Sequence, residues 1–408
     1  MDIRKEAGGL TQDVISWRRR LHENPELSDH EEDTVAFILE RLQEMGITCV
    51  DVPQGGVMGF IHGAKPGKTV LLRADIDALP MQEDPCNEKQ PKACVSQRPG
   101  VAHTCGHDTH AAMLLGAARL LHEHASEFSG SVVLYFERGE ENGNGDYYMM
   151  QYLLENNIHI DGCWAMHIRT YLPTGTVSIL DGGVFAGNTS WSASVSNEKG
   201  NALACCCAII QSLNTLRMRK ISPFQRVTLS NTKLQFGTDK VTVPGTCQIS
   251  GTCRYYDLEG VGRPMRDAIY ETIQATCSAY GCDVTCKKGA TTRGVINNSQ
   301  CCDLARKAVG AVLGREALVD SEPAMGAESF SIPSAYWPGV YAFLGAGNPE
   351  KGMTALGHHP KFDPDEDAFQ YGVAATVAYA LAFLSNEEII EFKGFRGSID
   401  DYLASLRG

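Results

Sequence analysis

The spacing of apolar residues predicts alternating helices and strands along most of the chain. Two helical patterns lie between Asp13 and Gln43, and the segment His22–Pro25 separates them. Short apolar runs bounded by Gly, Pro or charged residues predict strands at Gly56–His62, Thr69–Ile76, Val132–Phe136, Gly162–Ile168 and Val340–Leu344. Further helical patterns lie at Ala111–Leu121, Asp146–Asn156, Cys301–Leu313 and Asp367–Leu384. This alternation predicts an α/β fold with a mixed, largely parallel sheet flanked by helices.

The pattern changes in the middle of the chain. Strands with period-two alternation are predicted at Trp191–Val195, Arg226–Phe236 and Val241–Tyr256, and helices at Ala202–Leu213 and Val261–Tyr280. We therefore expect a smaller α+β domain, with two helices on an antiparallel sheet, that interrupts the larger one. The predicted boundaries assign residues 1–189 and 298–408 to the larger domain and residues 190–297 to the insertion. The polar tail from Ser385 is only weakly specified.

Composition and charge narrow the class of protein. The chain has 408 residues and a formal net charge of -13, which argues against nucleic acid or an anionic membrane as a partner. Met1–Leu10 is charged and has no apolar core of a signal peptide, and we expect no membrane span, so the prediction is a cytoplasmic protein. The 15 Cys are odd in number and include adjacent runs, so we expect most to be reduced and packed as small apolar residues.

One short stretch concentrates side chains that bind metals. Val101–Met113 reads V-A-H-T-C-G-H-D-T-H-A-A-M, with three His, one Cys and one Asp within eight positions. Cys105 and His107 flank Gly106, so a turning backbone can direct both side chains to one point, and thiolate plus imidazole suits a metal such as Zn²⁺. Helix capping or surface exposure explains a single His better than it explains the whole cluster. We expect a metal-binding loop that opens a helix.

Further donors follow predicted strands elsewhere in the chain. Glu140 and Glu141 come after one buried run, His167 ends the next, and His358 and His359 lie near the C-terminus. Open α/β sheets bind ligands at the carboxyl ends of their strands, so we expect these side chains to meet there. Taken alone, His167 is better explained as a buried, hydrogen-bonded residue and His358 as part of a polar loop. The set as a whole favours a functional centre.

Together, these metal-binding side chains predict a site for two metal ions. Five ligands are too many for one closed tetrahedral site but suit two ions with open positions; they are Cys105, His107, Glu141, His167 and His358. We expect Asp75, together with Asp77 on the same run, and Asp108 to orient ligand imidazoles without contacting the metal. Zn and Mn are the favoured metals, with Co a further candidate, because availability and geometry decide among them.

Glu140 remains outside this ligand set. A carboxylate beside metal-activated water can take the water's proton and pass it to a leaving amine, which is the chemistry of metal-assisted amide hydrolysis. Nucleophilic catalysis by Ser, His and Asp is disfavoured, because the chain contains no G-x-S-x-G motif. The residues therefore favour a metal-dependent hydrolase with Glu140 as general base.

Eight motifs in fixed order resemble the metal-dependent amidohydrolase and peptidase family that includes aminoacylases, hippurate hydrolase, auxin-amino-acid conjugate hydrolases and carboxypeptidase G. The resemblance covers nearly the whole chain, and its motifs lie at Arg73–Glu83, His103–His110, Gly139–Glu141, Met166–His167, Gly251–Arg254, Met325–Phe330, Phe343–Asn348 and His358–Asp363.

The resemblance implies an activity, a ligand set and an assembly. It implies hydrolysis of an N-acyl amino acid or related small amide at a two-metal site, in a catalytic domain interrupted by a lid domain that commonly forms a homodimer. The same five ligands and Glu140 match the family by position. Spacing to the Asp365–Asp367 segment favours His358 over His359 as the last ligand. Arg254 matches an arginine that binds the substrate carboxylate in relatives, a task that suits a guanidinium group.

The lid departs from the family pattern. Relatives carry a G-G-H-A-A-x-P-H loop whose first His polarises the scissile carbonyl, but here the loop is shorter and no His occurs between His167 and His358. The Asn usually found before the lid Arg corresponds to Val241, and Ser329 stands where the family often has Asp. Losing an oxyanion donor costs about 3–4 kcal/mol of transition-state stabilisation unless another group, such as Asn201 or a lid Lys, replaces it. The alternative hypothesis is therefore a metal-binding paralogue with weak or lost catalysis.

Overall fold

The computed structural model describes residues 1–141, 145–198, 201–237, 243 and 245–407. The chain divides into two compact units, each assembled from separate stretches. The first unit comprises Met1–Gly182, Asn297–Glu322 and Ile332–Ile399, and the second comprises Gly183–Ile296, Pro323–Ser331 and Asp400–Gly408. The domain boundaries at 189/190 and 297/298 stay a prediction.

The described residues form 13 β-strands and 11 α-helices. In the described part of the chain the strands are β1 (Thr48–Val52), β2 (Gly56–His62), β3 (Lys65–Asp75), β4 (Ser129–Glu137), β5 (Gly162–Pro173), β6 (Val177–Ser178), β7 (Gly182–Phe185), β8 (Gly187–Ser196), β9 (Val227–Phe236), β10 (Thr246–Tyr255), β11 (Asp283–Thr291), β12 (Val295–Asn297) and β13 (Gly339–Gly347). The α-helices of the same residues are α1 (Ile3–Gly9), α2 (Thr11–Glu23), α3 (Glu32–Glu44), α4 (His107–Glu123), α5 (Gly145–Glu155), α6 (Ala202–Lys220), α7 (Arg263–Ala279), α8 (Ser299–Leu313), α9 (Pro333–Tyr336), α10 (Phe369–Ser385) and α11 (Ile399–Arg407).

A seven-stranded mixed sheet organises the first unit, with the order β1-β2-β4-β3-β5-β13-β6. Its central strands β4, β3, β5 and β13 are parallel, and the outer pairs are antiparallel. Buried apolar side chains of these strands and of α4 and α10 form one continuous core. The expected α/β fold, with a largely parallel sheet flanked by helices, is confirmed.

One helical segment of the first unit resembles a membrane span in length and composition. Glu366–Ser385 is long and apolar enough to cross a membrane on length and composition. Most of it is buried inside the first unit, where α10 packs on α4 and α8. A core helix covered on most sides needs no polar face, and this explains its composition.

The second unit is built on an antiparallel sheet with the order β11-β8-β10-β9. Helices α6 and α7 pack against each other and against this sheet, so the expected pair of helices on an antiparallel sheet is confirmed. Helix α6 extends to Lys220, beyond its predicted end at Leu213. The predicted strand that starts at Val241 is observed from Thr246, and Val241 itself lies outside the described residues.

Strand β11 and helix α11 are among the elements that the sequence pattern did not predict. Strand β11 carries Lys287 and Lys288 and is largely exposed, so it lacks the apolar run that predicts a strand. The tail from Ser385 is partly ordered, because α11 buries Tyr402 and Leu406. Ile399, Tyr402 and Leu406 recur at helical spacing. The segment is too short for this spacing alone to predict a helix.

Candidate metal centre

A tight turn before α4 directs Cys105 and His107 toward one point. Gly106 lies in the left-handed region, with φ of 96°, and a Cβ atom there would come within 2.6 Å of the Ile168 side chain. Glycine is therefore required for this turn, since other residues rarely adopt the conformation and none has room here. His107 begins α4, as the sequence predicts for a loop that opens a helix.

The five predicted ligands lie together in two overlapping groups that share Cys105. One group contains Cys105, His107 and His167, and the other contains Cys105, Glu141 and His358. Within each group the donor atoms lie within 4.8 Å of one another. Cys105 Sγ lies 3.4 Å from His167 Nε2, and His358 Nε2 lies 3.2 Å from Glu141 Oε1.

Glu140 lies beside this cluster. Its carboxylate forms a third group with His107 and Glu141, again with donor atoms within 4.8 Å of one another. Both glutamates are half-buried at the end of β4, directly after the turn at Gly139, which has a φ of 65°. The strand end thus brings two carboxylates to the same His, as expected for open sheets of this kind.

Hydrogen bonds orient two of the imidazoles with Nε2 toward the cluster. His107 Nδ1 donates to Asp77 Oδ1 at 2.9 Å, and His167 Nδ1 donates to the carbonyl of Ile168 at 2.7 Å. A ring that donates from Nδ1 keeps the lone pair of Nε2 available for a metal. Burial lowers the pKa of His167 well below its ordinary value, which favours the neutral ring that metal binding needs.

Asp77 holds two of these segments at once. Besides His107 Nδ1, it accepts the backbone N–H of Glu141 at 3.1 Å and the hydroxyl of Ser28 at 2.7 Å. Burial raises the pKa of Asp77, but these hydrogen bonds lower it below its ordinary value. The sequence named Asp77 only as a companion of Asp75, and no pattern pointed to Ser28.

Asp75 orients His110 instead of a predicted ligand. His110 Nδ1 donates to Asp75 Oδ1 at 2.6 Å, and His110 Nε2 accepts the backbone N–H of Ile168 at 3.0 Å. Both nitrogens of His110 are therefore engaged within the protein. Asp75 also accepts from Arg73 at 2.7 Å and lies 3.7 Å from His107 Nε2.

Among the described residues, the side chain of Asp108 forms its hydrogen bonds and ion pairs with residues other than the five predicted ligands. Its Oδ2 lies 2.7 Å from His22 Nδ1 and 2.8 Å from Arg18 Nε. Arg18 and His22 are both about 1% exposed, so their charges are buried. Their spacing of four residues on α2, beside the buried Val14 and Leu21, is the only sequence signal for this role.

The other residues that the sequence analysis considered lie at separate places in the two units. His359 Nδ1 accepts the backbone N–H of Lys361 at 3.1 Å, whereas His358 faces Glu141. In the second unit, Arg254 on β10 donates to the carbonyl of Met325 at 2.9 Å, and Ser329 donates to Glu328 at 3.3 Å. Asn201 precedes α6 and is exposed, while Lys199 lies outside the described residues.

The donor set fits a divalent transition metal. One thiol, three imidazoles and a carboxylate are the ligand types that such ions bind, and two imidazoles already present the required nitrogen. Hydrogen bonds to Cys105 and Glu141 raise the pKa of His358 to about 10. A cluster that favours a positive charge at this position is electrostatically suited to bind cations.

Known proteins are similar to this chain over most of their length. The thermostable carboxypeptidase 2 of Saccharolobus solfataricus is 32% identical over 402 residues, which cover 94% of this chain and 99% of the relative. The IAA-amino acid hydrolase ILR1-like 4 of Arabidopsis thaliana is 31% identical over 386 residues, which cover 91% and 86%. The YXEP protein of Bacillus subtilis, described as a dinuclear metal binding peptidase, superposes with a TM-score of 0.81 at 28% identity, covering 92% and 99%.

A family model also matches most of the chain. Residues 71–382 match the model of peptidase family M20/M25/M40, and this range contains the predicted ligands and Glu140. The resemblance found in the motifs is therefore confirmed. The chain belongs to peptidase family M20/M25/M40 and is a hydrolase that acts on amide bonds.

Proposed function

We propose that the protein hydrolyses the amide bond of an N-acyl amino acid or a related small amide. The observation that carries this proposal is the pair of donor groups that share Cys105, with Glu140 beside them. The names of two relatives, a carboxypeptidase and a hydrolase of IAA-amino acids, support an amino acid as one part of the substrate. The substrate would then carry a carboxylate next to the scissile bond.

Two divalent metal ions are part of this proposal. Cys105, His107, Glu141, His167 and His358 would hold them, and a structural neighbour is described as dinuclear. Zn and Mn are the favoured metals, with Co a further candidate. Bound ions of this kind supply Lewis acidity, which polarises a carbonyl and makes water more acidic.

The proposed roles of the protein side chains follow from their chemistry. Glu140 accepts a proton from the attacking water and delivers it to the leaving amine, so it acts as base and then as acid. Asp77 keeps the His107 ring and the backbone of Glu141 in place during this transfer. Arg254 binds the substrate carboxylate, since its guanidinium group can donate two parallel hydrogen bonds.

Replacing Glu140 tests the assignment of the base. Glu140→Gln should lower hydrolysis of N-acyl amino acids by at least about 100-fold, the scale of general base catalysis. Its metal content should match that of the wild type, because the five proposed ligands are intact. Glu155→Gln, on the exposed end of α5, is a matched control that should keep full activity. Turnover that survives in Glu140→Gln would refute the role of Glu140.

A second candidate function is ligand binding with little turnover. The lack of any His between His167 and His358 favours it, because the lid His of relatives is then missing. A panel of N-acyl amino acids and aryl amides separates the two functions. A binding protein should show ligand-dependent thermal stabilisation without product, whereas an enzyme releases the amine.

We also propose that a homodimer forms through the second unit. Strand β9 is an edge strand whose Leu234 and Phe236 are 37% and 47% exposed. An edge with apolar side chains is a template for pairing with another strand, and a second copy of the chain offers the same edge. The cytoplasmic location stays a prediction.

A further inference from the structure

A line of buried charged side chains runs through the first unit. Lys92 Nζ donates to Glu83 Oε1 at 2.8 Å, His22 Nε2 lies 3.0 Å from the same oxygen, and His22 Nδ1 lies 2.7 Å from Asp108 Oδ2. These side chains are between 0% and 3% exposed. We call Lys92, Glu83, His22 and Asp108 the charge relay.

The two ends of the charge relay meet segments that carry proposed metal ligands. Asp108 follows His107 directly at the start of α4. At the other end, Lys92 Nζ also donates to the carbonyl of Pro360 at 2.9 Å, two residues after His358. The charge relay therefore spans the segments of His107 and His358, which are 251 positions apart in sequence and belong to the same cluster of metal-binding side chains.

The segment around His358 needs such anchors. His358 lies in the left-handed region, with φ of 62°, a conformation that a non-glycine residue holds only when its surroundings impose it. Residues 354–365 contain no regular helix or strand. The backbone N–H of His358 donates to the carbonyl of Thr104 at 2.8 Å, and that of Asp84 to the carbonyl of Pro360 at 3.1 Å. Lys92 adds a buried, charged donor to the same carbonyl.

Hydrogen-bond chemistry shows why charged residues are used here. His22 Nδ1 lies 2.7 Å from Asp108 Oδ2 and 3.1 Å from Arg18 Nη2, and His22 Nε2 lies 3.0 Å from Glu83 Oε1, so buried partners on both sides hold the ring in one orientation. A buried ion pair adds little stability over well-packed apolar residues, but its hydrogen bonds have fixed directions. The charge relay is therefore better suited to fixing positions than to stabilising the core.

We infer that His22 and Lys92 are positioning residues that set the separation between the His107 and His358 segments. This inference rests on the proposed function, because the two segments matter together only if both contribute metal ligands. Among the described residues, the hydrogen bonds of His22 and Lys92 go to atoms other than the proposed metal-binding atoms. Substitution of a residue that orients metal ligands without contacting the metal typically weakens metal binding by about 10–100-fold.

Two variants test the inference in a metal-free and a metal-loaded arm. Lys92→Met removes the donor to Glu83 and Pro360, and His22→Gln removes the imidazole that links Glu83 to Asp108. Val309→Ala, a fully buried position on α8, is the control for a general loss of stability. Should Lys92→Met be insoluble, Lys92→Gln keeps one donor group and serves the same test.

In the metal-free arm, amide hydrogen exchange is measured over residues 351–363. We expect faster exchange there in Lys92→Met than in Val309→Ala at equal loss of stability, as read from urea unfolding. This arm needs no bound metal, so it tests the link between the segments even if the proposed function fails. Equal exchange over residues 351–363 in the two variants would overturn the inference.

In the metal-loaded arm, Zn²⁺ or Co²⁺ is titrated against a chromophoric chelator. In both His22→Gln and Lys92→Met, the affinity for at least one ion should fall by about 10-fold or more. The affinities of Val309→Ala should equal those of the wild type. Wild-type affinity in His22→Gln and Lys92→Met would overturn the inference. A wild-type protein that binds neither ion would instead refute the proposed function, and the exchange measurement would still decide on the charge relay.

Discussion

Asp77→Asn is the most informative single change, because one buried carboxylate supports two parts of the proposed metal centre. Asp77 is 1% exposed and accepts hydrogen bonds from the His107 ring, the Glu141 backbone and the Ser28 hydroxyl. The amide of Asn has nearly the same shape, so packing is preserved. It replaces one acceptor oxygen with an N–H group that must face a donor.

The expected loss follows from which hydrogen bonds are broken. Each hydrogen bond with a charged partner contributes about 1.5–3 kcal/mol net, so losing one or two of them lowers the unfolding free energy by about 1.5–6 kcal/mol. If the amide N–H faces His107 Nδ1, the ring proton moves to Nε2, which lies 4.0 Å from Glu141 Oε1. A protonated Nε2 cannot bind a metal, so we expect affinity to fall by about 10–100-fold.

Two measurements check this prediction. Titration of metal-free protein with Zn²⁺ against a chromophoric chelator gives the affinity, and urea unfolding gives the stability. Asp161→Asn is the matched control, since Asp161 accepts the backbone N–H of Thr69 at 2.7 Å near the other end of β3. The control should lose stability without losing metal affinity. Wild-type affinity in Asp77→Asn would refute the reasoning about the His107 ring.

Three further predictions follow from charge, metal binding and the exposed edge. Burial raises the pKa of Glu83, but hydrogen bonds from His22 and Lys92 lower it from 4.5 to about 2. The ionised carboxylate therefore contributes about 3 kcal/mol to the free energy of unfolding above pH 4.5, and this contribution is lost as the pH falls toward 2. Acid titration of stability should therefore be flatter in Glu83→Gln, and an unchanged slope would contradict the role of this carboxylate. Removing metal with a chelator should lower the melting temperature of the wild type, and re-adding Zn²⁺ should restore it, whereas identical melting with and without metal would argue against the metal centre. Leu234→Asp combined with Phe236→Asp should convert a dimer to a monomer in light scattering without loss of metal, and a dimer that persists would exclude the β9 edge as its interface.

The local motifs of the centre were readable in the sequence because they are dense and close to strand ends. Cys105 and His107 flank a required glycine, and Glu140 and Glu141 follow a buried strand. The partners of these residues were not readable in the same way. Asp108 lies next to a proposed ligand in sequence, yet it contacts His22 and Arg18 because α4 turns its side chain toward α2.

Apolar periodicity alone determined the α/β unit and the antiparallel second unit, because apolar spacing reports which face of an element is buried. Residue type and spacing alone identified the candidate metal ligands that the structure brings together. Tertiary structure decided which nitrogen of each imidazole faces the cluster, since that depends on the partner of the other nitrogen: Asp77 for His107 and a carbonyl for His167. It also decided that Lys92 and His22 are buried. Their burial requires carboxylates from segments far away in sequence, and only the folded chain brings those segments together.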